Sequence, residues 1–266
     1  MRRSDPIILA DADNTLWDTN SVFANGQLKL LELVEQFSGL ACPELDRLGF
    51  VRAYDQAIAS RHHLHLKYPK QMLVATLAAG LRSELPDIAA EAALYGRPAT
   101  HCLSERQITD AVAAYSEALT RVPELLPNVR AGLELARAHD LTVFVMTEGR
   151  VDLQRRALLA HDLERYVERV WELTKSVAQF GRLRRRFDPK GIVVIGDQPD
   201  RDIVPAHDAG CRTVLVPSRF RPRWQSESER KMADYVAADF LEAMEWVVRY
   251  PNSMDASVSE SSRTAP

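Results

Sequence analysis

Long apolar runs are missing from this chain. None of its 266 residues lies in a stretch approaching the ~18 consecutive apolar residues of a membrane span, so no membrane partner is expected. Cysteine is scarce: Cys42, Cys102 and Cys211 are odd in number, widely spaced and never in a CxxC pair. That argues against a disulfide framework and a cysteine zinc site, and makes a reducing cytoplasm the expected location. A dominant charge is missing too. With 34 Lys and Arg against 37 Asp and Glu the formal net charge is -3. So balanced a chain lacks the basic field of a non-specific nucleic-acid binder, and no nucleic acid is expected as partner. There is no internal repeat. The opening Met1-Arg2-Arg3-Ser4-Asp5-Pro6 has the charge of an export signal, and an arginine pair, but neither the apolar core nor a cleavage site, so no leader is expected. Asn252–Pro266 is rich in Ser with little to bury, and residues 251–266 are expected to be a disordered tail.

What is present is a pattern of short apolar runs separated by helices. Ile7–Ala10 reads as a strand that runs straight into Asp11. Helical spacing follows through Val22–Phe37, Glu44–Ser60, Lys70–Leu81 and Ser104–Val122, punctuated by Pro43, Pro69, Pro86 and Pro98. From Pro127 onward helix and strand alternate. Strands are expected at Leu141–Met146, Val167–Leu173, Ile192–Ile195, Thr213–Val216 and Tyr235–Val236. Helices are expected at Asn128–His139, Val151–Ala160, Ser176–Phe187, Arg201–Ala209 and Leu241–Val248. Buried strands alternating with helices predict an α/β fold: a Rossmann-like open parallel sheet with helices on both faces. Asp11 and Thr147 are 136 residues apart, whereas a βαβ unit needs only about 30. The surplus predicts a helical cap domain over 19–125, with 1–18 and 126–250 forming the core, and a lid at the carboxyl ends of the strands.

Polar groups follow those strands. Asp11 and Asp13 come after the first, Thr147 after the second, Lys175 after the third, and Asp197 and Asp202 after the fourth. Parallel strands would gather them along one edge. Clustered carboxylates call for a hard divalent cation, which points to Mg²⁺. Such a site with a Lys and a hydroxyl suits a phosphoryl group. Asp11 could attack phosphorus, and Asp13 could protonate the leaving oxygen and then activate water.

These residues carry a family resemblance. Asp11-Ala12-Asp13-Asn14-Thr15-Leu16 resembles the DxDx[TV] first motif of the haloacid dehalogenase (HAD) superfamily. Thr147 with Glu148-Gly149 resembles the second motif, Lys175 the third, and Gly196-Asp197-Gln198-Pro199-Asp200-Arg201-Asp202 the fourth, all in the family's order. The resemblance implies Asp11 as nucleophile and metal ligand, and Asp13 as general acid/base with its carbonyl on the metal. It implies Thr147 and Lys175 as phosphoryl contacts, Asp197 as a metal ligand and Asp202 in support of the metal. Asn14, Thr147, Glu148, Gly149 and Lys175 would line the substrate site. The implied activity is hydrolysis of a small phosphorylated metabolite. Phosphomutase, phosphonatase and dehalogenase chemistry are alternatives on the same fold, as is a non-catalytic regulatory protein. Asp13 argues against a dehalogenase, and although a phosphonatase would need a cap lysine and Lys67 and Lys70 lie in the cap, neither has a distinctive context.

Two positions depart from the family pattern. Asn14 stands where Gly is usual, and Asn tolerates positive φ. Glu148 stands where Asn is frequent, and it must turn away from a phosphate or pair with a cation such as Arg150. The basic segments Arg61–Lys67 and Arg182–Arg186 read as solvated faces, while Arg219, Arg221 and Arg223 could reach the rim of the crevice.

Overall fold

The computed structural model describes residues 6–63, 65–96, 103–188 and 190–249. The expected tail, 251–266, lies outside them, as does Cys102. The chain divides into two compact units.

The first unit comprises Met1–Asp18, Glu124–Arg219 and Gln225–Pro266. Its sheet has six strands: β1 (Ile7–Asp11), β2 (Thr142–Thr147), β3 (Arg169–Glu172), β4 (Ile192–Gly196), β5 (Arg212–Leu215) and β6 (Tyr235–Val236). They lie in the order β3-β2-β1-β4-β5-β6, and every pairing is parallel. The expected open parallel α/β sheet is therefore present. Successive side chains of a strand point to opposite faces, and both faces are covered. Ile8, Ala10, Val143, Val145, Val193 and Ile195 pack with Leu133 of α6 (Val129–Ala138), Ala157 and Leu158 of α7 (Val151–Ala160), and Phe240 and Met244 of α11 (Phe240–Arg249). The alternate residues Ile7, Leu9, Phe144, Met146, Ile192 and Val194 pack with Phe180 and Leu183 of α8 (Val177–Arg186) and Ala206 of α9 (Val204–Asp208). Two-sided burial is why these strands read as unbroken apolar runs. The expected single helix at Arg201–Ala209 is instead a π-turn at Pro199–Ile203 followed by α9. Pro205, which has no N–H, falls in the first turn of α9.

The chain leaves this unit after Asp18 and re-enters at Glu124. The two points are adjacent: the Asp18 amide donates to the Glu124 carbonyl at 2.8 Å, and Trp17 bridges Leu125.

The second unit comprises Thr19–Pro123 and Phe220–Trp224. Its helices are α1 (Thr19–Ser38), α2 (Arg47–Ala59), α3 (Lys70–Gly80), α4 (Pro86–Leu94) and α5 (Glu105–Ala118). They bury a core of their own around Leu30, Leu31, Ile58, Leu73 and Leu77. Helix α2 starts later than Glu44 because Asp46 caps it, accepting from the Gly49 amide. Pro86, read as a breaker, instead begins α4 at its first position, where a missing N–H costs nothing.

Phe220–Trp224 joins the helical unit from after β5. The Arg223 amide donates to Gln56 Oε1 at 3.1 Å, Arg52 lies over the Phe220 ring, and Trp224 stacks on His65. Arg221 and Arg223 thus belong to this unit. In the basic segment Arg61 pairs with Asp87 at 3.0 Å. Its histidines join no cluster of three potential metal ligands among the described residues.

Candidate active site

The carboxyl ends of β1, β2 and β4 bring Asp11, Thr147 and Asp197 to one edge of the sheet, and the turn after β3 delivers Lys175. Lys175 is the hub. Its Nζ lies 2.5 Å from Asp11 Oδ1 and 2.6 Å from Asp202 Oδ1, and all three side chains are buried. Asp202 also accepts from the Gln198 amide through Oδ2 at 3.0 Å. Gly196 makes this approach possible, because a Cβ there would stand 2.3 Å from Asp202 Cγ.

Asp11, Asp197 and Asp202 each bring an oxygen to within 4.8 Å of the others. Asp13, two residues on, is not part of this buried trio and is half-buried. Three carboxylates against one ammonium leave excess negative charge in a buried place. Burial, reinforced by Asp202 and Asp13, pushes the Asp11 carboxyl up to about 8 against the pull of Lys175. Burial and the charges of Asp11 and Asp202 push Asp197 well above the usual range. Burial also works against the Lys175 ammonium, but Asp11 and Asp202 outweigh it and raise its pKa, so the lysine stays charged. Asp197 Oδ1 is buried with no hydrogen-bond partner among the described residues. An orphaned carboxylate oxygen in an oxygen-only cluster of excess negative charge fits a hard divalent cation.

Thr147 ends β2 with its hydroxyl oxygen accepting from the Gly149 amide at 2.9 Å. Glu148 turns to the protein. Its Oε1 accepts from the Lys175 amide at 3.0 Å, and its Oε2 accepts from Arg201 Nε at 2.9 Å. Burial alone would raise its pKa, but Arg201 and the Lys175 amide outweigh that and lower it. Arg150, the cation nearest in sequence, pairs with Asp152 instead. Asn14 has φ 60°, the left-handed backbone that Asn tolerates.

One site residue carries no motif. Gln154 of α7 is buried and donates from Nε2 to Asp13 Oδ2 at 3.1 Å, with Thr147 Oγ1 at 3.5 Å. It shares the buried stripe of α7 with Ala157 and Leu158. A polar residue in an apolar stripe was the available signal.

Comparison with known proteins gives the same frame. Residues 168–243 match the HAD-hydrolase-like family model. No curated protein sequence matches the chain. Among solved structures, the chain is similar to a phosphoglycolate phosphatase predicted in Haemophilus somnus 129pt, with TM-score 0.61 and 18% identity over 93% of this chain and 99% of that one. It is similar to YfnB of Bacillus subtilis, assigned as a HAD-hydrolase and bound to magnesium, with TM-score 0.58 and 14% identity over 92% and 98%. It is also similar to a 2-haloacid dehalogenase from Pseudomonas syringae pv. Tomato DC3000, with TM-score 0.52 and 19% identity over 92% and 99%. At these identities the likeness is one of fold.

Proposed function

We propose that this chain is a HAD-like hydrolase and, within that family, a Mg²⁺-dependent phosphatase acting on a small organic phosphomonoester. The observation that carries the reading is the division of labour between two nearby carboxylates. Asp11 is buried with one oxygen on Lys175, and Asp13 sits outside the buried trio with one oxygen on Gln154. A dehalogenase attacks carbon and has no use for an acid at the second position, so a positioned Asp13 favours phosphoryl chemistry.

In this account Asp11 attacks phosphorus and forms an aspartyl-phosphate, while Asp13 gives a proton to the departing alkoxide. Asp13 then takes a proton from water, which attacks the same phosphorus and frees Asp11. Lys175 keeps its charge against the nucleophile and the phosphoryl oxygens, and Asp202 holds Lys175 in place. The Thr147 oxygen already accepts from Gly149, which leaves the hydroxyl proton for a phosphoryl oxygen. Asp11, Asp197 and the Asp13 carbonyl would hold the cation, with Asp202 alongside. When bound, the cation offsets the negative charge that accumulates on the phosphoryl group. The free thiols Cys42 and Cys211 suit a reducing cytoplasm.

The test is hydrolysis of p-nitrophenyl phosphate with Mg²⁺ and with chelator, by the intact chain and by Asp11→Asn. Metal-dependent turnover absent from the variant supports the reading. Turnover that survives in Asp11→Asn refutes it.

A further inference from the structure

Gln154 is a glutamine nearly without solvent exposure, on the face of α7 that otherwise buries Ala157 and Leu158. An amide in such a place costs stability unless its polar atoms are matched. Here the donor end is matched by the one carboxylate assigned to proton transfer: Nε2 meets Asp13 Oδ2 at 3.1 Å and lies 3.5 Å from Thr147 Oγ1. Asp13 lies on the segment after β1, beside Asn14 with its left-handed backbone, and Gln154 reaches it from α7. Gly149 lies beside the same three groups. A Cβ there would stand 3.3 Å from Thr147 Oγ1 and about as close to Gln154 Nε2, 3.9 Å, as to Asp13 Oδ2, 4.0 Å.

We infer that Gln154 is a positioning residue for Asp13: it anchors Oδ2 from the side of α7 and so aims the carboxyl group at the leaving oxygen. The inference rests on the phosphatase reading. As the Asp11 oxygen–phosphorus bond forms and the phosphorus–oxygen bond to the leaving group breaks, the electron pair goes to that oxygen and the proton comes from Asp13. A primary amide suits the anchor because its NH₂ can only donate, so it fixes one carboxylate oxygen without competing for the proton. A glutamate there would instead place a second acid against Asp13.

A fold-wide defect and a proton-transfer defect differ in their dependence on the leaving group. An alkyl phosphate leaves as a strongly basic alkoxide and needs the acid, whereas p-nitrophenyl phosphate leaves as a weakly basic phenoxide and hardly does. The experiment measures kcat/KM with Mg²⁺ on both esters for the full chain, Gln154→Met and Asp13→Asn. Met keeps the volume and the helix and removes the donor. We expect kcat/KM on the alkyl ester to fall by roughly 10–100-fold in Gln154→Met, part of the 10²–10⁴ that general acid catalysis typically supplies. On the aryl ester the fall in kcat/KM should be under about 3-fold. In the Asp13→Asn background, adding Gln154→Met should cost little more. Equal losses on both esters, or none, overturn the inference while leaving the phosphatase reading intact. If the unmodified chain hydrolyses neither ester with Mg²⁺, that reading fails and the inference fails with it. Should Gln154→Met lose its melting transition, Gln154→Glu serves in its place, with the same selective loss expected and a uniform loss or none equally fatal.

Discussion

Glu148 and Arg201 stand 53 residues apart in sequence and meet side chain to side chain, joining the loop after β2 to the turn after β4. The same glutamate takes the Lys175 amide on its other oxygen. A residue that would repel a phosphate if it faced the site is instead a brace between three loops. Glu148→Ala removes the brace, leaves the guanidinium unmatched and frees the lysine backbone. We expect a loss of about 1–3 kcal/mol of stability and a fall in kcat larger than any rise in KM. A double-mutant cycle with Arg201→Met should return a favourable coupling. Additive effects would show that the pair holds nothing in place.

Lys175 joins Asp11 and Asp202 through buried side chains. Removing one member of a buried charge cluster leaves the others uncompensated, at a cost of about 3–5 kcal/mol. Lys175→Met should therefore lower the melting temperature of the metal-free chain by many degrees as well as abolish turnover. Mg²⁺ should restore part of the lost stability and none of the activity. An unchanged melting temperature would contradict the hub role.

The acidic trio makes stability depend on pH. Burial raises the Asp11 carboxyl from an ordinary 3.8 to about 8. A carboxyl raised in the fold contributes stability that is complete below its unfolded value and lost as pH climbs through the folded one. The metal-free chain should thus lose melting temperature between about pH 5 and about pH 8. Mg²⁺ should stabilise it more at the upper end, where the carboxylates lack protons. A Mg²⁺ shift of equal size at both ends would count against metal binding at these carboxylates.

Gly196→Ala tests how tightly the fourth strand meets its own loop. The new methyl would stand 2.3 Å from Asp202 Cγ, so the carboxylate that holds Lys175 must move. Activity should fall sharply even where the sheet still forms, as read by circular dichroism. Near-normal turnover would show that Asp202 is not needed where it stands.

Much of this was legible in the chain itself, for identifiable reasons. Asp11, Thr147 and Asp197 lie at or just past the ends of apolar runs, and parallel strands bring such ends to one edge. Asn14 could be read because few residues other than Gly adopt its backbone. The partner of Glu148 was not legible. Sequence proximity favoured Arg150, whereas the sheet order β2-β1-β4 and the turn after β4 bring in Arg201. Pro86 looked like an interruption because proline breaks helix interiors but begins helices equally well. By sequence Phe220–Trp224 goes with its neighbours in 126–250, yet its contacts are with α2 and His65. Gln154 interrupts the apolar stripe of α7, but a single glutamine has no motif, and nothing in the sequence ties it to Asp13 as their 3.1 Å contact does.

The most direct test of the central claim is to quench the chain during turnover of a phosphate ester with Mg²⁺ and examine its peptides by mass spectrometry. One acid-stable, base-labile phosphoryl group is expected on the peptide that carries Asp11, lost in Asp11→Asn and accumulating in a variant slowed at Asp13. A phosphoryl group on another residue, or turnover in the Asp11→Asn variant, would contradict it.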